Sequence, residues 1–340
     1  MLHFRINAEG ALARTMQAVV ITEAGGPEVL QVRDVPCPVP GEAEILVRVA
    51  ASGVNRADLL QRRGGYAAPS GSPQDIPGME FSGTVEAVGP GVDRWREGDA
   101  VMGIVGGGAY AGFVVTHADA AVPVPRGMDV ERAGAIPEVF MTAFDAVFLQ
   151  EGLREGETLL VHAVGSGVGT AALQLGRAFG ARVLGTSRTA SKLERAAALG
   201  LEHPILGDSG WPKRVMEMTG GRGVDVILDL VGGPYLDGNQ KVLATGGRHI
   251  VVGVTGGPRT EIDLRSLMVR RGSIRGTVLR ARPLEEKIAL TRAFERDALP
   301  KFASGALRPV VDRILAAGEA QEAHRLLETN ATFGKVLLRW

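Results

Sequence analysis

Residues 159–180, LLVHAVGSGVGTAALQLGRAFG, carry the clearest chemistry in the chain. The apolar run TLLVHA (158–163) reads as a strand that delivers the chain to a glycine-rich turn. From Gly167 to Phe179, Val168, Ala171, Leu175 and Ala178 recur at helical spacing. A helix starting at such a turn presents unpaired N–H groups and the positive end of its dipole. A pyrophosphate can seat there if no Cβ blocks its approach. Gly165, Gly167 and Gly169 supply that room. The literal G-x-G-x-x-G pattern fails at Thr170, and the better register is Ala163-x-x-Ser166-x-x-Gly169. Glycines alone also fit a plain tight turn. The flanking strand and helix, with three further β elements, favour a dinucleotide.

The next strand, ARVLGT (181–186), ends where a dinucleotide's ribose would lie. An Asp or Glu there bonds a 2′-hydroxyl, whereas hydroxyl and cationic donors attract a 2′-phosphate. This chain has Ser187, Arg188 and Lys192, with no acid before Glu194, so NADPH is expected over NADH. The competing reading makes Arg188 and Lys192 solvated charges at a helix start.

These residues need elements to hold them. From Met16 to about Pro137 short β-branched runs alternate with Gly and Pro: QAVVIT (17–22), EILVRVAAS (44–52), SGTVEAVG (82–89) and FVVTH (113–117). That pattern predicts a compact β domain. After Pro137 the grammar turns to β-α-β, with a helix over SKLERAAAL (191–199) and strands VDVILDL (224–230) and RHIVVGV (248–254). Such alternation argues for a doubly wound parallel sheet. Beyond Val278 come a helical stretch (285–305), VVDRIL (310–315), a helix near 319–328 and a final strand, KVLLRW (335–340).

Composition fits two globular domains: 340 residues, 45% hydrophobic and 22% charged. Basic and acidic residues balance at 38 each, so the overall charge draws the chain to neither nucleic acid nor anionic lipid. The 47 glycines exceed the roughly 24 expected of average usage, which implies many tight turns. A single cysteine, Cys37, excludes an intrachain disulfide and a multi-cysteine metal site, and fits a reducing, cytoplasmic setting. No apolar run approaches the roughly 20 residues of a membrane span. Residues 1–15 are read as an extension before a body starting at Met16. The six histidines are scattered without metal spacing.

In combination, GGPEVL (25–30), PGEAEILVRVAASGVNRADLLQRRGGY (40–66), PGMEFSGTVEAVGPGV (77–92), PEVFMTAFDAV (137–147), HAVGSGVGTAALQL (162–175), LDLVGG (228–233) and EAHRLLETNATFGKVLL (322–338) resemble the medium-chain dehydrogenase/reductase superfamily. The likeness is to its quinone-oxidoreductase branch, its tumour-suppressor-inducible members in particular. The resemblance implies an α/β chain with a GroES-like β-rich catalytic domain (16–138 and 279–340) and a Rossmann domain (139–278). It implies an active site in the cleft between them and a homodimer that pairs Rossmann edge strands.

Zinc-dependent members need a Cys where this chain has Asn55 and a His where it has Met79, and they carry a four-cysteine loop missing here. Glu80 alone survives, short of the three protein ligands a catalytic zinc takes. Without a Lewis acid, acceptors that are already electrophilic, quinones or activated enones, are expected.

By the same resemblance Asn55 and Tyr66 are the catalytic candidates. Asn55 sits near the nicotinamide or else caps a helix beginning near Ala57. Tyr66 donates a proton to the reduced oxygen or only stacks as an aromatic wall. Thr142 lies near the cofactor, Ser166 bonds phosphate or substrate, Gly253, Val254 and Gly256 line the nicotinamide side, and Asn330 closes the cleft. One departure is that related bacterial reductases carry a Tyr after the third Rossmann strand, whereas HPILGDSG (203–210) has none. An NADPH:quinone reductase is the leading expectation. An enoyl or enone reductase comes next, and a non-catalytic NADPH- or RNA-binding protein third, with RSLMVRRGSIR (265–275) as its local basic segment.

Overall fold

The computed structural model describes residues 3–6 and 12–340. The chain divides into two units. The first holds the described residues up to Glu138 with Arg280–Ala303 and Val311–Trp340, and the second holds Val139–Leu279 with Ser304–Val310.

In the first unit β1 (His3–Ile6), β2 (Leu12–Ile21) and β3 (Leu30–Pro36) form a three-stranded antiparallel sheet. Strand β2 thus begins four residues ahead of Met16, and β1 pairs with it from within the segment read as an extension. Next come β4 (Glu44–Val54), α1 (Arg56–Arg62), β5 (Glu80–Val88), β6 (Ala100–Ile104), β7 (Phe113–His117), β8 (Ala121–Pro123), α2 (Val130–Ala133) and α3 (Pro137–Phe144), whose last residues belong to the second unit. Strand β4 is the spine, pairing with β5 and β7. Apolar residues cluster on both of its faces, Leu46 and Val54 in one cluster and Ile45, Val47 and Val49 in the other.

The second unit runs β9 (Thr158–Val161), α4 (Gly167–Ala178), β10 (Arg182–Ser187), α5 (Ala190–Ala197), β11 (His203–Leu206), α6 (Trp211–Met218), β12 (Val224–Asp229), α7 (Leu236–Val242), β13 (Leu243–Val251), α8 (Leu264–Arg270) and β14 (Ser273–Gly276). Its six strands are parallel in the order β11-β10-β9-β12-β13-β14. Leu159, Leu160 and Val161 are fully buried, as strands covered on both faces require. Strand order reverses between β9 and β12, and in such sheets ligands bind at the carboxyl ends beside this switch point.

The chain then returns to the first unit. Helices α9 (Leu284–Asp297) and α10 (Pro300–Ala303), strand β15 (Val311–Ala316), α11 (Ala320–Glu328) and β16 (Lys335–Arg339) follow, and β16 pairs antiparallel with β4. Among the described residues no helix is long and apolar enough to cross a membrane.

Candidate active site

In the second unit, β9 ends in a turn where Ala163 takes a positive φ of 50°. Ser166 caps α4, its Oγ accepting from the Gly169 N–H at 3.0 Å. That leaves the Gly167 and Val168 N–H groups at the helix start for an anion. A Cβ on Gly169 would collide with the Ala163 carbonyl, so only glycine lets helix and strand approach this closely. Beside this turn, the loops after β12 and β13 are stitched together. Gly256 N–H donates to Val231 O at 2.8 Å and Gly233 N–H to Gly257 O at 2.9 Å. Gly253, Val254 and Gly256 therefore sit at the carboxyl ends of the central strands, with Val254 exposed.

Ser187 closes β10 and is buried, its Oγ accepting from Thr189 N–H at 3.2 Å. Its hydroxyl proton has no acceptor among the described residues. Arg188 beside it is exposed. Lys192 lies one turn into α5, half-buried, and Thr142 is buried in α3.

Beneath the sheet's carboxyl end runs a buried polar chain. His162 bonds Thr186 Oγ1 at 2.9 Å and Asn239 Oδ1 at 2.6 Å, Asn239 donates to Asp229 Oδ2 at 3.1 Å, and His249 meets the same oxygen at 3.0 Å. Burial pushes Asp229 up, but the His249 hydrogen bond and neighbouring imidazoles prevail and hold it below the usual carboxylate range. Burial lowers His162, which stays neutral. It is a structural residue under the turn.

In the first unit a second buried network surrounds Asn55. Lys335, from β16, donates to Asn55 Oδ1 at 2.6 Å and Val54 O at 2.9 Å and lies 2.7 Å from Glu80 Oε1. The Asn55 amide donates both its hydrogens, to Glu80 Oε1 at 2.9 Å and to Gly53 O at 3.2 Å. Glu80 Oε2 accepts from Glu138 N–H at 2.8 Å. Gly53 is glycine because a Cβ there would strike the Glu80 carboxylate. Asn55 does stand at the cap position of α1, but its side chain is turned into this network. Capping is done from the other side, by Asp58, whose Oδ2 accepts from Asn55 N–H at 2.8 Å.

Asp58 also accepts from Tyr110 Oη at 3.2 Å and from Gly78 N–H at 3.2 Å. Burial lifts its carboxyl to about 6 against the pull of those hydrogen bonds and of Lys335 and Arg280. Tyr110 in turn meets His324 Nε2 at 3.3 Å, and Arg62 lies 3.1 Å from His324 Nδ1. Burial, reinforced by the Arg62 charge, lowers His324 to about 3.

Tyr66, in the loop after α1, is half-buried, and its hydroxyl has no partner among the described residues. The Arg280 guanidinium lies 5.2 Å from the centroid of its ring. Arg280 is 4% exposed, donates to Gly106 O at 2.7 Å and Gln61 Oε1 at 2.6 Å, and leaves its Nη1 buried with no partner among the described residues. Asn330 is exposed, takes a positive φ of 56°, and bonds Arg56.

Of the expected site residues, Asn55, Tyr66 and Asn330 thus belong to the first unit and all the others to the second. Sequence reading missed Lys335, Asp58 and Arg280. In the sequence Lys335 is a single charge opening the apolar run KVLLRW, and Arg280 falls between β14 and α9. The signal available was a Lys at an inward-facing strand position, which burial permits only when it is paired.

Comparison with known proteins agrees with this fold. Residues 41–126 match the alcohol dehydrogenase GroES-like domain, and residues 167–295 match the zinc-binding dehydrogenase family. A quinone oxidoreductase of Rattus norvegicus is 32% identical over 331 residues, covering 96% of this chain and 98% of that protein. Among solved structures, an NAD-dependent alcohol dehydrogenase superposes with a TM-score of 0.86 at 36% identity over 96% of this chain and 100% of its own. The CurK enoyl reductase superposes with a TM-score of 0.83 at 25% identity over 95% and 99%. A nicotinamide cofactor and a small-molecule substrate follow for an enzyme of this kind.

Proposed function

The chain belongs to the quinone oxidoreductases of the medium-chain dehydrogenase/reductase superfamily, and from that premise we propose that it passes hydride from NADPH to a quinone without zinc. The observation that carries this reading is the seat of the Lys335 ammonium, 2.7 Å from Glu80 and 2.6 Å from Asn55. The single carboxylate left by comparison with zinc-dependent relatives is already neutralised, and its neighbours are an amide and Met79. That donor set does not suit zinc, which takes Cys, His or carboxylate ligands. Lacking a Lewis acid, the protein favours an acceptor electrophilic enough to take hydride directly.

The coenzyme is a good fit to the second unit. NADPH, when bound, supplies the hydride from nicotinamide C4. The N–H groups at the start of α4 hold its pyrophosphate, Gly169 permitting the approach. The Ser187 hydroxyl, Arg188 and Lys192 meet the 2′-phosphate, and no carboxylate ends β10 to repel it. Thr142, Ala163, Gly253, Val254 and Gly256 complete the contacts.

On the acceptor side Asn55 has no amide hydrogen to spare, so it acts as a fixed wall rather than as a donor. Tyr66 has an unspent hydroxyl proton, which balances the hydride by protonating the reduced oxygen and is then replaced from solvent. Asn330, tied to Arg56, borders the same unit's surface.

Anaerobic mixing of the protein with NADPH and a simple quinone tests the proposal. Oxidation above the protein-free rate is expected, and its absence would sink the reading. The likeness to an enoyl reductase favours a second reading, reduction of activated C=C bonds. Specificity constants for quinones against enones and enoyl thioesters separate the two, dominance by the thioesters favouring the alternative.

A homodimer completes the proposal. Strand β14 ends the sheet with one side unpaired among the described residues, and α8, which precedes it and packs on β13, buries none of its residues. Leu264, Met268 and Val269 are 62%, 76% and 74% exposed. An apolar helix flanking an open strand edge is what a second copy would cover. A cytoplasmic site suits the one, unpaired cysteine.

A further inference from the structure

Tyr235 lies in the short turn between β12 and α7, 48 positions from Ser187. Its hydroxyl nevertheless reaches the carboxyl ends of β10 and β11. Oη donates to Gly207 O at 3.3 Å, and Gly207 N–H donates to Ser187 O at 2.8 Å. Gly207 leaves the space for it, because a Cβ there would come within 2.6 Å of Tyr235 Oη and 3.5 Å of the Ser187 carbonyl.

The ring is held firmly. It packs 4.7 Å from the His162 ring and 5.4 Å from Trp211, and His162 is itself bonded to Thr186, the residue before Ser187. Position and orientation are therefore set before any ligand arrives, which lowers the entropic cost of a new hydrogen bond.

Arg188 is close enough to act on the phenol. Two acids act on the phenol: Asp208 pairs with Arg214 and accepts from the Gly210 N–H, and Asp229 is taken up by His249 and the Val231 and Gly232 N–H groups. Burial raises the phenol above its ordinary value, so it remains a proton donor at neutral pH. Its bond to Gly207 O is long, and the proton can turn to a stronger acceptor.

We propose that Tyr235 is a specificity-determining residue for the coenzyme, its hydroxyl joining Ser187 and Arg188 around the 2′-phosphate from an element outside the strand ends that supply them. This rests on the NADPH reading above. It explains how a 203–210 segment without a phenol of its own serves the same corner: Gly207, by lacking a side chain, admits one from the β12–α7 turn.

Calorimetric binding of 2′,5′-ADP and 5′-AMP to the full chain and to Tyr235→Phe tests it without turnover. The Phe variant keeps the aromatic packing and removes only the hydroxyl. We expect wild type to bind 2′,5′-ADP more tightly than 5′-AMP. Tyr235→Phe should weaken 2′,5′-ADP about 10–150-fold, the scale of one hydrogen bond to a charged group, and leave 5′-AMP unchanged. Gly207→Ala, which displaces the hydroxyl and keeps the phenol, should act in the same direction. Unchanged 2′,5′-ADP affinity in Tyr235→Phe, or an equal loss for both ligands, overturns the role of Tyr235 while leaving NADPH preference standing. Wild-type protein that does not distinguish the two ligands overturns the NADPH reading itself, and this proposal with it.

Discussion

The Lys335 ammonium and the Glu80 carboxylate, 255 positions apart in sequence, lie 2.7 Å from each other with side chains 3% and 0% exposed. Removing one member leaves the other charged and buried, so Lys335→Met should cost about 3–5 kcal/mol. The double variant Lys335→Met with Glu80→Gln should cost less than the two single changes summed. Urea unfolding of the four proteins measures this. In the same preparation, a strong chelator should leave the reductase rate intact and added zinc should not raise it. Activity lost to the chelator and restored by zinc would contradict the zinc-free reading.

Arg280 stacked on Tyr66 fixes the ring and leaves the phenol free to donate. Tyr66→Phe is expected to lower kcat with a quinone about 100-fold, the lower range for a general acid, with NADPH affinity unchanged. A change of less than about 3-fold would mean that the ring only stacks. Arg280→Met should chiefly raise the KM for the acceptor, because it loosens the ring rather than removing its proton. Steady-state kinetics with both substrates varied distinguishes the two effects.

The Asp58–Tyr110–His324 chain makes stability depend on pH in two opposing ways. Asp58 is raised to about 6 from 3.8, so the folded state holds its proton more tightly than the unfolded chain. Its contribution is therefore lost as pH rises through 6, amounting to about 1 kcal/mol between pH 5 and 7. His324 is lowered to about 3 from 6.5, so the unfolded chain binds the proton first. Its contribution is lost as pH falls below 6.5, about 2 kcal/mol between pH 7 and 5. Relative to wild type, Asp58→Asn should make stability fall more steeply on acidification over this range, and His324→Gln less steeply. Urea midpoints at pH 5, 6 and 7 give both slopes, and identical slopes in all three proteins would refute the assignment.

A charge placed on the open face of α8 tests the dimer. Met268→Glu and Val269→Glu alter side chains that are 76% and 74% exposed, so neither should destabilise the fold. Light scattering on a sizing column should give twice the chain mass for wild type and the single chain mass for the double variant. A wild-type monomer at micromolar concentration would remove the dimer from the proposal.

Much of the second unit was legible from short windows. β9, β10 and β12 fall where apolar runs end in turn residues, and α4 starts where glycines give way to helical spacing. Elsewhere windows misled. Of the run 248–254 only 248–251 is strand, the end of a longer one, Leu243–Val251, whose polar start ATGGR hides its pairing. The helical stretch 285–305 breaks into Leu284–Asp297 and Pro300–Ala303, since Pro300 starts a helix more readily than it continues one. Strand Ser273–Gly276 has too little apolar character to announce itself, being exposed at the sheet edge.

Sequence by itself determined the glycine-rich turn ahead of α4, the lack of a cysteine cluster for zinc, and the absence of an acid at the end of β10, because each depends on residues a few positions apart. Only tertiary structure decided that Lys335 sits on Asn55, that Arg280 stacks on Tyr66, and that Tyr235 fills the space left by Gly207. These pairings join residues 280, 214 and 28 positions apart. The reason is physical: turn chemistry and periodicity act within a window. A buried ion or an oriented phenol instead takes its partners from whichever strands the sheet brings side by side.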